Sequence, residues 1–223
     1  MEWNIVSKPS YSLLKMVLEP GESVTAEPGA LVYMSEGINV KTHTGGGLGK
    51  ALMRALFGGE SVFLNTYTAR SRGELWLAPS LPGDVEYVAL DSTSSLIIQD
   101  TSYLAHHGNI DLSMSWRGFR GLLAEGELVW LKASGVGGVW VSAYGGIISK
   151  KLNPREKIIV DNFHFVAMDS TVKWRVRKFG GIKSFLFGGE GFVIEAEGPG
   201  RILVQTRSLP PFAEALTRFI RRK

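Results

Sequence analysis

Along most of the chain, apolar and polar residues alternate with a period of two, or gather in short runs rich in Val, Ile, Phe, Tyr and Trp. Such runs cover residues 61–69, 74–78, 85–90, 128–133 and 139–144. Successive side chains of a strand point to opposite faces, so this pattern predicts half-buried β-strands. Between the runs lie Glu19-Pro20-Gly21-Glu22, Glu27-Pro28-Gly29, Leu81-Pro82-Gly83-Asp84 and Gly198-Pro199-Gly200. Proline fixes φ and glycine admits positive φ, so each predicts a tight reversal. Helical spacing of apolar residues outlasts two turns only at 48–57 and 211–222. The expected fold is all-β, with one short inserted helix and a C-terminal helix over 210–223.

The strand pattern also repeats. LFGGESVFLNTYTARSRGELWLA from Leu56, LLAEGELVWLKASGVGGVWVSAY from Leu122 and LFGGEGFVIEAEGPGRILVQT from Leu186 align, with starts 66 and 64 residues apart. Each joins an apolar pair, a turn carrying Glu, a strand, a glycine turn and a second strand. Short apolar strands precede them at 30–34, 103–105 and 163–168. None of these units is large enough to bury a core alone. The expectation is therefore a single globular unit, 1–223, of three β-sandwich repeats, 10–95, 96–157 and 158–209, in a pseudo-threefold arrangement.

Pro28-Gly29-Ala30, Gly45-Gly46-Gly47, Phe57-Gly58-Gly59-Glu60, Leu81-Pro82-Gly83-Asp84 and Gln205-Thr206-Arg207-Ser208-Leu209, in that order, resemble the altered-inheritance-of-mitochondria 24 family over nearly the whole chain. The resemblance implies a fold similar to that of the tryptophan RNA-binding attenuation protein, with double-stranded β-helix-like sandwiches, three per chain, and a ring-like homotrimer. The fungal mitochondrial members of that family are tied to inner-membrane organisation, a role that the resemblance does not carry over to this chain. Residues 1–16 have neither a signal-peptide nor a presequence pattern. The chain thus resembles a prokaryotic member, expected in the cytoplasm and peripheral to the membrane.

Composition narrows the chemistry. With 223 residues, 44% hydrophobic and 21% charged, the chain has ample material for a core and no signature of disorder. It has no Cys, which removes disulfides, thiolate metal sites and cysteine nucleophiles. Its longest uncharged run, 133–149, is broken by glycines and is too short to cross a bilayer as a helix. The net charge of +4 is unevenly spread: residues 171–223 hold 11 Lys/Arg and 4 Asp/Glu, a local +7, whereas residues 1–170 carry 14 and 17, or −3. Such an asymmetry suits an anionic partner, and equally a solvated face.

Enzymatic motifs fail on spacing. In THTGGGLGKALM, Thr44 stands where a phosphate-binding loop needs its first Gly and Ala51 where it needs the magnesium hydroxyl. No dinucleotide fingerprint, nucleophile elbow or DNA-binding motif occurs. His106 and His107 are adjacent and face opposite sides of a strand, while His43 and His164 lie apart. The expectation is no catalytic residue, no metal and no cofactor. A pocket joining a histidine to carboxylates stays open as the route to an enzyme.

Two basic features stand out. Before each repeat turn, cations mix with apolar residues: Lys50 and Arg54 with Leu48 and Leu52; Arg117 and Arg120 with Trp116 and Phe119; Lys178 and Lys183 with Phe179 and Ile182. These loops suit an anionic lipid surface, multiplied by trimerisation, or a packed neighbour. The second feature is the ladder Lys173, Arg175, Arg177, facing away from Val172, Trp174 and Val176, with Glu195 and Glu197 as cross-strand partners. The leading functional expectation is a non-enzymatic oligomeric β scaffold meeting an anionic membrane surface. The alternative is a ring that binds RNA or a small ligand.

Overall fold

The computed structural model describes residues 1–44, 63–117, 129–179, 192–217 and 219. Its strands are β1 (Glu2–Val6), β2 (Leu13–Leu18), β3 (Ser23–Ala26), β4 (Leu31–Met34), β5 (Ile38–Thr44), β6 (Phe63–Ala69), β7 (Gly73–Leu77), β8 (Val85–Leu90) and β9 (Ser95–Gln99). There follow β10 (Tyr103–Arg117), β11 (Val129–Ser142), β12 (Ile147–Leu152), β13 (Lys157–Asp161), β14 (Phe165–Asp169), β15 (Lys173–Lys178), β16 (Phe192–Glu197) and β17 (Gly200–Gln205). Single 3₁₀ turns, Asp100–Ser102 and Asn162–His164, lead into β10 and β14. The C-terminal helix α1 is Leu209–Thr217. Pro210 and Pro211 sit in its first turn, where a missing N–H costs nothing. The inserted helix expected at 48–57 lies outside the described residues.

The strands form antiparallel sheets: β1-β2-β7-β4, β13-β16-β15, and a ten-stranded path β12-β17-β14-β9-β11-β10-β3-β6-β5 with β8 also on β11. Among the described residues none of these sheets closes on itself. Alternation dictates the layering. β2 reads LLKMVL and buries Leu14, Met16 and Leu18 on one face. β7 adds Leu75 and Leu77 to the same core. Each such side chain contributes about 1.5–3 kcal/mol on burial.

Three hydrophobic clusters result. One gathers Leu14, Leu75, Tyr67 and Trp140, a second Leu96, Leu131, Val139 and Leu203, and a third Trp130, Phe165, Ile194 and Ile202. The hairpin β10–β11 feeds all three: Trp140 and Leu104 go to the first, Val139 and Val141 to the second, and Trp130 to the third.

Strand pairings follow one order along the chain. β2, β8 and β12 pair with β7, the later half of β11 and β17. β3, β9 and β13 pair with β6, the earlier half of β11 and β16. β4, β10 and β14 pair with β7, β11 and β17, and each ladder slips by one residue, at Val32, Leu104 and Val166. Two further ladders join successive groups: Ala105 faces Ala26 between β10 and β3, and Ala167 faces Ile98 between β14 and β9.

β11 changes partners midway, from β9 at Trp130–Ser134 to β8 at Gly137–Ser142. Glycine makes this possible. Gly135 has φ +122°, and a Cβ there would lie 2.0 Å from the Asn109 carbonyl oxygen; Gly137 has φ +152° and would strike the His107 oxygen at 2.1 Å. The glycines that break the uncharged run of the sequence are thus the hinge of its longest hairpin.

Candidate functional site: open strand edges and a basic sheet face

β4 pairs with β7 on one side, and among the described residues its other edge is unpaired. The strand reads LVYM, without charge or proline, and its apolar side chains face solvent: Val32 is 54% and Tyr33 47% exposed. Tyr33 leans edge-on against Trp76, centroids 5.2 Å apart, and the Lys15 ammonium caps the same indole at 4.1 Å. β13, which reads KIIVD, is a second open edge among the described residues. It pairs only with β16 among the described strands, and Ile159 is 55% exposed. Edges of this kind present unsatisfied backbone groups and template further strand pairing.

The three-stranded sheet carries the cationic ladder. In register, Lys173 faces Glu197 and Arg175 faces Glu195. Glu195 accepts from both Arg175 and Arg177, and these guanidinium hydrogen bonds, Arg177 first, hold its carboxyl below the usual range. Glu197 turns instead to the Lys157 ammonium at 3.3 Å, across the other neighbour of β16. Lys157, Lys173, Arg175, Glu195 and Glu197 line one shallow groove of about 840 Å³ with Ile159. Counting Arg177, four cations face two carboxylates there, and the face keeps a positive balance.

The expected basic-apolar loops divide between described and undescribed residues. Leu48, Lys50, Leu52, Arg54, Phe119, Arg120, Ile182 and Lys183 lie outside the described residues. Trp116 and Arg117 end β10, opposite Trp130 and Val129. Lys178 ends β15, exposed, and Phe179 is half-buried beyond it. Each loop is rooted on a registered antiparallel pair: Thr44 with Phe63, Arg117 with Val129, Lys178 with Phe192. Strand directions separate the first two roots. Ala26 faces both Asn65 and Ala105, so Phe63 lies toward the Tyr103 end of β10, while Arg117 is its opposite end.

The histidines serve the fold. Tyr103 donates its hydroxyl hydrogen to the Thr25 carbonyl at 3.1 Å, which leaves its oxygen to accept from His106 Nδ1 at 2.7 Å. Burial pushes the His106 imidazole down to about 4, helped by His107 and His43. His43 Nε2 meets the Thr66 hydroxyl at 2.8 Å, His107 Nε2 the Tyr87 hydroxyl at 2.9 Å, and His164 Nδ1 donates to the Gln205 carbonyl at 2.7 Å. Among the described residues no three His, Asp or Glu converge as a metal site.

One pocket does gather carboxylates, and nothing in the sequence marked it. Glu27, Gln99, Asp100, Tyr144, Phe163 and Gln205 line a cavity of about 440 Å³. Burial raises Glu27 to about 7 and Asp100 to about 6, the latter against backbone hydrogen bonds that lower it. The buried Gln99 Oε1 has no hydrogen-bond partner among the described residues. Glu27 lay hidden because a Glu before Pro-Gly reads as turn chemistry.

The fold and these surfaces define an all-β protein of several antiparallel sheets with a single C-terminal helix among its described residues, and with no described helix long and apolar enough to cross a membrane. The model of the mitochondrial biogenesis AIM24 family matches residues 3–207, and the chain belongs to that family. An uncharacterized protein of Streptococcus pyogenes serotype M6 is 28% identical over 229 residues, 99% of this chain and 91% of that one. The crystal structure of a Streptococcus pyogenes protein solved by structural genomics superposes with a TM-score of 0.82 at 28% identity, over 98% of this chain and 99% of that one. None of these names carries an enzymatic activity.

Proposed function

We propose that this chain is the subunit of a non-enzymatic homo-oligomeric scaffold, trimeric and ring-like, built from three related β units. The single observation that carries this reading is the pair of open, solvent-facing edges, β4 and β13, which among the described residues lack the junction pairing made twice elsewhere, by β3 with β10 and by β9 with β14. The units run over β2–β7, β8–β11 and β12–β17, which moves the divisions expected at 95 and 157 to the turns near 80 and 145. Support comes from the ladders of the three groups and from the common slips at Val32, Leu104 and Val166. Light scattering over a range of concentrations tests the reading. A mass of three chains is expected, and a monomer at all concentrations sinks it.

The scaffold meets an anionic lipid surface through the basic face of β13, β15 and β16. Exposed Phe212, Leu216 and Phe219 of α1 and the turn after it add an apolar stripe of the kind that lies in a membrane interface. Flotation with anionic and neutral vesicles at low and high salt checks this. Binding is expected to anionic vesicles alone and to weaken with salt.

A second reading rests on the carboxylate pocket. Its two desolvated acids, the unpartnered Gln99 oxygen and the Tyr144 and Phe163 rings suit a small organic molecule rich in hydrogen-bond donors. A thermal-shift screen of amines and polyols tests it, with stabilisation lost in Gln99→Leu as the supporting result.

A further inference from the structure

The internal junctions specify how two copies would join. In both, the residue just after the ladder slip faces a residue that lies five positions before the first paired residue of the preceding slip along the chain. Ala105 follows the slip at Leu104 and faces Ala26 of β3, with His106 on Thr25 and His107 on Val24. Ala167 follows the slip at Val166 and faces Ile98 of β9, with Met168 on Ile97. The slips begin at Tyr103 and Phe165, five residues after Ile98 and Val160 respectively, and at Leu31, five after Ala26. By this count Tyr33 of β4 takes the place of Ala105 and Ala167, and Val160 of β13 the place of Ala26 and Ile98.

Burial follows the same correspondence. Leu104, Ala105, Val166 and Ala167, at the two completed junctions, are all 0% exposed, whereas Val32 and Tyr33 are about half exposed. On the other partner strand, Ile97 is buried at 4%, but its counterpart Ile159 is 55% exposed. The slip in β4 does not protect its edge, because the same slip in β10 and β14 accompanies pairing. Among the described residues both edges stay open within one chain, and β4 and β13 do not pair with each other.

The geometry points to a head-to-tail contact in which β4 of one copy pairs antiparallel with β13 of the next, Tyr33 opposite Val160 and Met34 opposite Ile159. This rests on the oligomeric reading above and gives it a strand register. The contact is heterologous: each copy offers one edge and uses the other, so repetition either closes a ring or runs on as a filament. Closure after three copies would extend the sheet-to-sheet junctions already made twice inside each chain.

The natural chain has no cysteine, so introduced pairs report contact against a clean background. Adjacent antiparallel positions alternate between wide and narrow spacing, and two pairs therefore cover both geometries. Full-length Tyr33→Cys and Val160→Cys chains are purified separately, mixed, and oxidised; Met34→Cys and Ile159→Cys are treated likewise. A disulfide-linked dimer is expected from at least one mixture and from neither chain of that pair alone, while Tyr33→Cys mixed with Lys157→Cys gives none. Light scattering on each sample separates the two ideas. An oligomer without cross-linking in either pair, or with equal cross-linking in the Lys157 control, overturns the register and leaves the oligomer standing. A monomer overturns both. As a second probe, Val32→Arg should drop the mass to that of one chain with an unchanged circular dichroism spectrum, and an unaltered oligomer in that variant counts against the contact.

Discussion

The Tyr103 oxygen lies 2.7 Å from His106 Nδ1, and both residues are buried where β10 crosses onto β3. An imidazole held neutral in the fold, at about 4, but near 6.5 when unfolded binds fewer protons folded than unfolded between those values. Its contribution is complete above pH 6.5 and is lost as pH falls through 4. The predicted loss is on the order of 3 kcal/mol, read as the change between pH 7 and pH 4 in the urea-denaturation difference between the natural chain and His106→Gln. Tyr103→Phe, which strands the Thr25 carbonyl and the His106 N–H, should cost about 1–3 kcal/mol at pH 7.

Glu27 works in the opposite direction. Burial raises its carboxyl to about 7, so the folded chain holds a proton that the unfolded chain has released. Stability from this group is complete below about pH 4.5 and declines as pH rises through 7. Glu27→Gln keeps the neutral shape and removes the titration. Relative to the natural chain, the variant should gain on the order of 1–3 kcal/mol between pH 5 and pH 8. A thermal-melt series over that range checks it; a constant difference between the two chains would refute the assignment.

At the hinge of β11, Gly135→Ala places a methyl 2.0 Å from the Asn109 oxygen at a φ that side chains avoid. A cost of about 1–3 kcal/mol is expected from the backbone strain alone. Val136→Ala is the control. That neighbour is 58% exposed, and its change should stay within about 0.5 kcal/mol in the same chemical denaturation.

Glu195 restrains two of the cations proposed to meet lipid. Replacing it with Gln frees Arg175 and Arg177 and raises the charge of the face by one. Flotation should then show tighter binding to anionic vesicles, whereas Lys173→Glu should weaken it. Equal recovery of all three chains would remove this sheet from the membrane reading.

Much of the architecture was legible because period-two alternation is a local property. The apolar segments predicted at 30–34 and 163–168 overlap β4 and β14, and the one at 103–105 opens β10. The ladder on β15 and its Glu195 partner also followed from alternation alone. The strand partners were harder: β8, β9 and β12 earn their place by pairing with β11 and β17, far along the chain, and no local pattern announces a partner. The pocket was invisible for a related reason. Glu27, Asp100 and Gln205 come from three separate turns or strand ends, and only the packing of the sheets takes their polar groups out of water.

The hairpin β10–β11 places Trp130 in one core, Trp140 and Leu104 in another, and Leu131, Val139 and Val141 in a third. A protein with three separate hydrophobic clusters could melt in stages, each releasing its own heat. Here no core can empty without pulling on a hairpin that the other two require. The expected outcome in scanning calorimetry is a single transition for all three clusters.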